Sequence, residues 1–409
     1  MQLKLILTII ILGLTFISSA QSKVIQVLSL NTKIPIPFSI LQIDSSFHQT
    51  NIDGFVTIEP LNIVNLQVSH PYFGTVDTFL IANKDSVRLY LQPKPLADIS
   101  STDTSSRLVI SYALSHANEN NIYNNKNFSY TSYNKARIST DNIEEAKGTL
   151  VKIFDVFSIK IKDFNENHHV LLAESVTKRE YVDEFNNKEY IISSKISGIE
   201  NPKMLALNSQ VQSMSIYEKF IKVIDQSYVS PLFNGAKKRY DFKILNKIKR
   251  ENDFLYIIQF NPNGRLKQVL LTGILYISSK HWAVESAIIR PDKSSSIDFD
   301  VYFNYVLEND VWIPCSYSTR IGLDNVTDKK FQFTTRYSTY IYDFEFNARL
   351  KKDIWDDVSI EFAPQDSVDI LEPVYSHLHY MYLSLLDISV SYELHFHQRV
   401  VLPVHILVR

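Results

Sequence analysis

The sequence predicts a mainly β protein with some α: a small N-terminal β-sandwich, then an α+β region built on a large curved antiparallel sheet. Three observations predict it. Tyr and Phe number 23 and 24 among 409 residues, and aromatic residues favour strands. Residues 236–350 alternate apolar and polar side chains in seven successive runs, with polar turns and no helical spacing between them. Residues 23–95 break into six short apolar runs punctuated by Pro and Asp-Gly.

Composition narrows the function classes. The hydrophobic fraction is 45%, the charged fraction 21% and the formal net charge −2, which excludes a disordered chain and a basic nucleic-acid coat. Nine Gly leave little material for phosphate-cradling loops. The single cysteine, Cys315, excludes an intrachain disulfide and any Cys-cluster metal site.

The first 20 residues read as a secretory signal peptide. Lys4 supplies the positive start, residues 5–17 are apolar, and Ser18-Ser19-Ala20 places small residues before a cleavage point at Gln21. The apolar run is too short to span a bilayer, which takes about 18–20 residues.

In residues 23–95 the runs are 24–28, 35–43, 54–58, 65–68, 75–81 and 87–91. The turn Thr50-Asn51-Ile52-Asp53-Gly54-Phe55 is the most specific piece. Asp53 reads as a carboxylate capping its own turn rather than as a calcium ligand, and Gly54 as the residue that takes a positive φ. The order Ile-Pro-x-x-Phe-x-Ile, Thr-x-x-Asp-Gly-Phe-x-x-Ile, Leu-x-Val-Ser-His resembles the carboxypeptidase-regulatory-like domain, of transthyretin/Ig-like sandwich type. The resemblance implies an accessory module of secreted and outer-membrane proteins and no peptidase activity.

Residues 96–235 mix helix and strand. Ser101 to Ser106 offer caps for a helix carrying Leu108, Tyr112 and Ala113, which the Asn-rich stretch 118–127 ends. Residues 128–135 and 170–176 read as strands. A second helix is expected from Ser213, with Met214, Tyr217, Phe220, Ile221 and Ile224 on one core stripe. The blocks Phe-Ser-Tyr-x-Ser-Tyr-Asn-Lys (128–135), Leu-Leu-Ala-Glu-Ser-Val (171–176), residues 194–202 and residues 217–240 resemble a bacterial family of unknown function that carries the regulatory-like domain at its front. The resemblance runs over residues 23–350. It implies outer-membrane association, because longer members continue into a C-terminal β-barrel, and it carries over no catalytic residue.

The meander 236–350 is expected as strands at 240–248, 254–260, 269–277, 283–289, 297–307, 312–321 and 331–346, with a β-bulge near Ser338-Thr339 where the apolar face switches. The pair 273–277 and 282–284 is similar to the curved half-barrel of periplasmic lipoprotein carriers, an analogy of fold that does not transfer function. Such a face must be covered, by helices such as 213–226, or it can hold an acyl chain.

Searches for chemistry return little. Elbow, phosphate-loop and His-Glu-x-x-His motifs are absent. His116 and Glu119 have the spacing of a zinc carboxypeptidase pair, which needs a third ligand. His168 and His169 point to opposite faces of a strand. Cys315 reads as a buried thiol, and Lys237-Lys238-Arg239 as a solvated turn.

The tail, 351–409, is atypical. All 28 Asn precede residue 348, while five of the 11 His lie between His377 and His405. His377 with His379, and His395 with His397, have the spacing of a metal tail; a frameshift that replaced the family's continuation accounts for the composition more simply. No catalytic, cofactor-binding or metal residue is therefore assigned. The expected function is that of a non-enzymatic cell-envelope protein, the periplasmic part of an outer-membrane-associated protein, binding envelope partners or lipid and no nucleic acid. A periplasmic acyl-chain or lipoprotein carrier using the curved sheet is the alternative, and a zinc carboxypeptidase a remote third.

Overall fold

The computed structural model describes residues 23–58, 63–81, 86–97, 99, 102–125, 127–140, 150–153, 157–160, 169–183, 187–198, 214–223, 226–264, 270–293, 295, 297–323, 333–347 and 360–362. They fall into two compact units that divide between Pro95 and Leu96. The expected signal peptide and nearly all of the atypical tail, with its four paired histidines, lie outside the described residues.

The N-terminal unit is a two-sheet sandwich of seven strands: β1 (Lys23–Ser29), β2 (Ile40–Ile43), β3 (Ser46–Gln49), β4 (Phe55–Ile58), β5 (Ile63–His70), β6 (Phe73–Ile81) and β7 (Ser86–Leu91). One sheet runs β4-β1-β7, with β1 and β7 parallel, and the other β3-β2-β5-β6. Their inward residues interleave in one core: Ile25, Val27, Ile58 and Leu91 from the first, Leu41, Ile43, Leu66 and Val68 from the second. The sequence shows six runs; the seventh strand, β3, is a polar hairpin arm after the left-handed Asp44. The Asp-Gly turn is capped by Asn51. The Asn51 Oδ1 accepts the N–H of Asp53 at 3.0 Å and of Phe55 at 2.9 Å. Gly54 has φ of +71°, and a Cβ there would meet the Val27 carbonyl oxygen at 2.6 Å.

The second unit begins with helix α1 (Thr104–Asn120), whose N-cap Asp103 accepts the Ser106 N–H at 2.7 Å, and the short α2 (Ile122–Asn125). Strands β8 (Phe128–Thr140), β9 (Leu150–Ile153), β10 (Phe157–Lys160), β11 (His169–Tyr181) and β12 (Asn187–Gly198) follow, β9 and β10 pairing among the described residues with each other. Then come β13 (Phe220–Val223) and β14 (Gln226–Val229), a one-turn 3-10 segment (Ala236–Lys238), and β15 (Tyr240–Lys249), β16 (Phe254–Pro262), β17 (Leu271–Ser278), β18 (Val284–Pro291), β19 (Asp298–Glu308), β20 (Val311–Leu323), β21 (Phe333–Phe346) and β22 (Ile360–Phe362).

The expected seven-stranded meander is present, and it is more than half of something larger. The sheet order is β15-β16-β17-β18-β19-β20-β21-β8-β11-β12-β22. The first ten strands of that order pair antiparallel with their neighbours, and β22 joins β12 in parallel. Period-two patterning shows each strand, but it carries no signal that β21 pairs with β8, some two hundred residues earlier in the chain.

Two expectations fail here. Residues 214–219 form a turn and bend, β13 pairs antiparallel with β14, and among the described residues of 213–226 there is no helix. Ile221 and Val223 are buried and Phe220 and Lys222 exposed. That is a period of two in a β-branched segment, and it overrides the helical spacing. The bulge in β21 lies between Tyr342 and Glu345, not at Ser338-Thr339, and Asp343 takes a left-handed φ of 51° there. Thr335, Tyr337 and Thr339 are all buried, so the face switch follows Ile341.

Candidate functional site

Antiparallel register places residues of one face in rows that cross the sheet. One row reads Phe242, Phe260, Gly273, Ile289, Val301, Thr319, Tyr337, Ala136, Ala173 from β15 to β11. The next reads Ile244, Ile258, Leu275, Ala287, Phe303, Tyr317, Thr339, Asn134, Ser175. Both rows change character at β20. From β15 to β19 this inner face is apolar, a span of roughly 19 Å at the usual strand spacing. From β20 onward hydroxyls and an amide enter the rows, beside Ala136 and Ala173.

The apolar half is covered by α1 and by residues 214–223 and 226–236. Val109, Ile110 and Ala113 of α1, Ile216 and Tyr217 of the turn, and Ile221, Val223 and Tyr228 of the hairpin join the sheet's side chains in one buried core. Gly273 permits the tightest approach, since a Cβ would lie 2.0 Å from the Ile288 carbonyl oxygen and 2.9 Å from the Phe260 ring.

The cover is fastened by tyrosine hydroxyls bonded to backbone. The Tyr217 hydroxyl accepts the Val284 N–H at 2.7 Å, and the Tyr305 hydroxyl accepts the Ile216 N–H at 3.2 Å. The Tyr240 hydroxyl donates to the Val229 carbonyl at 2.5 Å and accepts the Leu271 N–H at 3.3 Å. Burial lifts all three phenols above their ordinary range, so they stay neutral and keep their protons. At the sheet edge, Thr102 Oγ1 accepts the Phe242 N–H at 2.9 Å and Ser106 Oγ the Ile244 N–H at 3.0 Å, blocking β15 from pairing with another chain.

The polar half is partly self-satisfied. Ser132 and Thr177 share a bond of 2.9 Å, and Thr339 donates to Asn134 Oδ1 at 2.9 Å. Three neighbouring hydroxyls are different. Thr319, Tyr337 and Thr335 are buried, and none of their hydroxyls has a hydrogen-bond partner among the described residues. Thr319 and Tyr337 face each other across β20 and β21. A buried hydroxyl left without a partner costs about 1–3 kcal/mol, so this patch is primed for a polar guest. Arg179, also buried, stands near the end of this half and donates to Asn187 Oδ1 at 3.1 Å.

The opposite face carries an arginine row. Arg290 and Arg320 each donate from Nε to buried Asp300 at 2.5 Å, and Arg320 also reaches Asp298 at 2.9 Å. Burial alone would raise the Asp300 carboxyl, but the two guanidinium groups outweigh it and hold the carboxyl below its ordinary value.

The residues singled out from sequence do not converge. His116 Nδ1 turns back to the Tyr112 carbonyl of its own helix at 2.9 Å, and Glu119 is exposed. Among the described residues no three His, Cys, Asp or Glu side chains are grouped as for a metal. His169 pairs through its backbone with Ser139, and His168 lies outside the described residues. The Cys315 thiol contacts the Asn304 carbonyl at 3.5 Å, and burial pushes it up to about 11. Lys237 and Lys238 are exposed on the 3-10 turn, as a solvated turn requires. The tyrosine seam and the hydroxyl patch escape a motif search. The usable signal is the change in inward positions from Phe299-Val301-Phe303 to Tyr317-Thr319 and Thr335-Tyr337-Thr339.

Residues 109–342, more than half of the chain, match the model of the family of unknown function DUF5686. The chain belongs to that family. The match takes in α1 from Val109, the cover and the long sheet except β22 and the last residues of β21, and it leaves out the sandwich. No curated protein matches the sequence. Among solved structures, a domain from Vibrio parahaemolyticus assigned as an outer membrane lipoprotein-sorting protein is similar at 10% identity and a TM-score of 0.26, over 60% of this chain and 95% of its own. A DUF1329 protein from Desulfovibrio piger is similar at 10% identity and 0.23, over 62% and 97%. A LolA-superfamily protein from Nitrosomonas europaea is similar at 9% and 0.20, over 58% and 94%. Likenesses this shallow carry neither fold nor function across.

Proposed function

We propose that this family member is a non-catalytic envelope protein that holds an amphiphile, the acyl chain of a lipid or lipoprotein, on the inner face of its long sheet. One observation carries the reading: cross-strand rows that are apolar over β15–β19 turn polar over β20 and β21, where the buried hydroxyls of Thr319, Thr335 and Tyr337 have no partner among the described residues. An amphiphile has the same division. Its chain would lie along the apolar rows once α1 and the β13–β14 hairpin lift, and its polar head would meet Thr319, Thr335 and Tyr337. The chain's own cover fills the apolar half in the present state, which keeps that surface from water until cargo arrives. The sequence's signal-peptide pattern supports a periplasmic setting. The partner-binding reading is weaker, because the blocked edge at β15 closes one route to strand addition.

Gentle purification from an envelope fraction, followed by lipid extraction and mass spectrometry, tests the proposal. Stoichiometric acyl lipid, displaced by dansyl-undecanoic acid, is expected. A lipid-free protein that also leaves dansyl-undecanoic acid unbound would end it.

A further inference from the structure

The exposed side of α1 continues into an aromatic stack whose inner rings, Trp282 and Tyr256, pack against the edge of the apolar core. Tyr112 and Leu108 are 47% and 53% exposed on that side. The Tyr112 ring stacks on Trp282, with centroids 4.7 Å apart and planes 21° apart, and Trp282 in turn stacks on Tyr256 at 6.0 Å. Trp282 sits in the turn between β17 and β18 at φ 50°, next to His281 at 58°. A large side chain rarely takes that backbone conformation, and here it sets the indole between the two tyrosines.

Cations frame the stack. Lys247 Nζ lies 4.1 Å from the centroid of the Phe254 ring, beside Tyr256. Lys237 Nζ donates to Ser111 Oγ at 2.6 Å, one helical position before Tyr112. Arg107 precedes Leu108 and is exposed. None of Arg107, Lys237 and Lys247 is ion-paired with a carboxylate among the described residues. Three nearby carboxylates are already engaged, Asp253 and Glu285 by Arg250 and Asp310 by Lys280, while Glu251 of the same turn is exposed. The surface therefore combines exposed aromatic and aliphatic groups with unneutralised positive charge. Tyr and Trp favour the boundary between water and hydrocarbon, and unpaired cations favour anionic headgroups.

We propose that this side of α1, with the Trp282 turn, docks on an anionic lipid bilayer. The inference stands on its own surface and holds whether or not the sheet carries an acyl chain. The docked helix is also part of the cover, so seating Leu108 and Tyr112 in the interface would pull on the element that must lift.

Co-sedimentation of the full chain with vesicles decides it, using 30% phosphatidylglycerol in phosphatidylcholine against phosphatidylcholine alone. Binding to the anionic vesicles is expected, falling by about tenfold or more on neutral ones or in the double variant Arg107→Glu, Lys247→Glu. The double variant Leu108→Ser, Tyr112→Ser should lose binding at unchanged charge. All four substitutions fall on exposed positions, and a cooperative melting transition with an unchanged far-UV CD spectrum confirms folding. Equal binding by wild type and both variants would place any membrane contact elsewhere and overturn the inference. So would the absence of binding to anionic vesicles, or binding only when an envelope protein is present in them. Loss of vesicle binding with acyl-probe binding intact would separate this surface from the sheet.

Discussion

The phenol of Tyr217 accepts the backbone N–H of Val284 at 2.7 Å, joining the cover to the buried first residue of β18. This bond is one of three tyrosine-to-backbone links along the seam, and it makes the cover's attachment separable from its apolar packing. Tyr217→Phe keeps the ring and removes the acceptor. It should destabilise the fold by about 1–3 kcal/mol, because the Val284 N–H is left buried without a partner. Urea unfolding measures that loss. If the cover lifts for cargo, the same variant should bind dansyl-undecanoic acid faster in stopped flow, and an unchanged association rate would detach the seam from loading.

Asp300 gives the pH dependence. Its carboxyl is held below the ordinary value by Arg290 and Arg320. A depressed carboxylate contributes stability above its unfolded pKa, near 3.9, and loses it as pH falls through the folded value. Asp300→Asn should therefore cost about 3 kcal/mol at pH 7, where it leaves the two guanidinium groups without their shared partner. The gap between variant and wild type should narrow below about pH 4 and close further down. Urea titrations at pH 7 and pH 3 compare the two, and a gap that stayed constant would show that Asp300 is not the titrating group.

Cys315 should be inert. A thiol with a pKa near 11 is almost wholly protonated at pH 8. Ellman's reagent should react slowly with the native chain and rapidly in concentrated urea. Fast reaction of the native protein would mean that β20 opens at that point.

Two glycines separate steric from conformational demand. Gly273→Ala should cost several kcal/mol or prevent folding, since its Cβ meets the Ile288 carbonyl at 2.0 Å in the middle of the sheet. Gly264, at φ +71° with nothing within 4 Å, pays only the left-handed backbone term, about 1 kcal/mol. Melting temperatures of the two alanine variants rank them.

What the sequence shows and hides follows from how local each cause is. The strands of the meander are legible because alternation is a property of neighbours, as in the run Ile297 to Leu307. α1 is legible from Asp103 onward because a cap and a helical spacing are local too. The hairpin at residues 220–229 is misread because Met214, Tyr217, Phe220 and Ile221 fit a helical stripe equally well, and only burial shows that Phe220 faces water. The joining of β21 to β8 is invisible, since pairing partners so far apart share no local pattern. The two-toned face is half legible: Thr319 and Tyr337 can be seen to replace apolar residues at inward positions. Their lack of partners is a property of the packed structure.

The most direct measurement of the central claim is photo-labelling with a fatty acid carrying a diazirine near its methyl end, followed by peptide mapping. The account predicts adducts on inner-face residues of the apolar rows, such as Leu275, Ala287 and Val301, displaced by unlabelled acid and altered in rate by Tyr217→Phe. Labelling confined to outward-facing positions, or none at all on a folded chain, would contradict it.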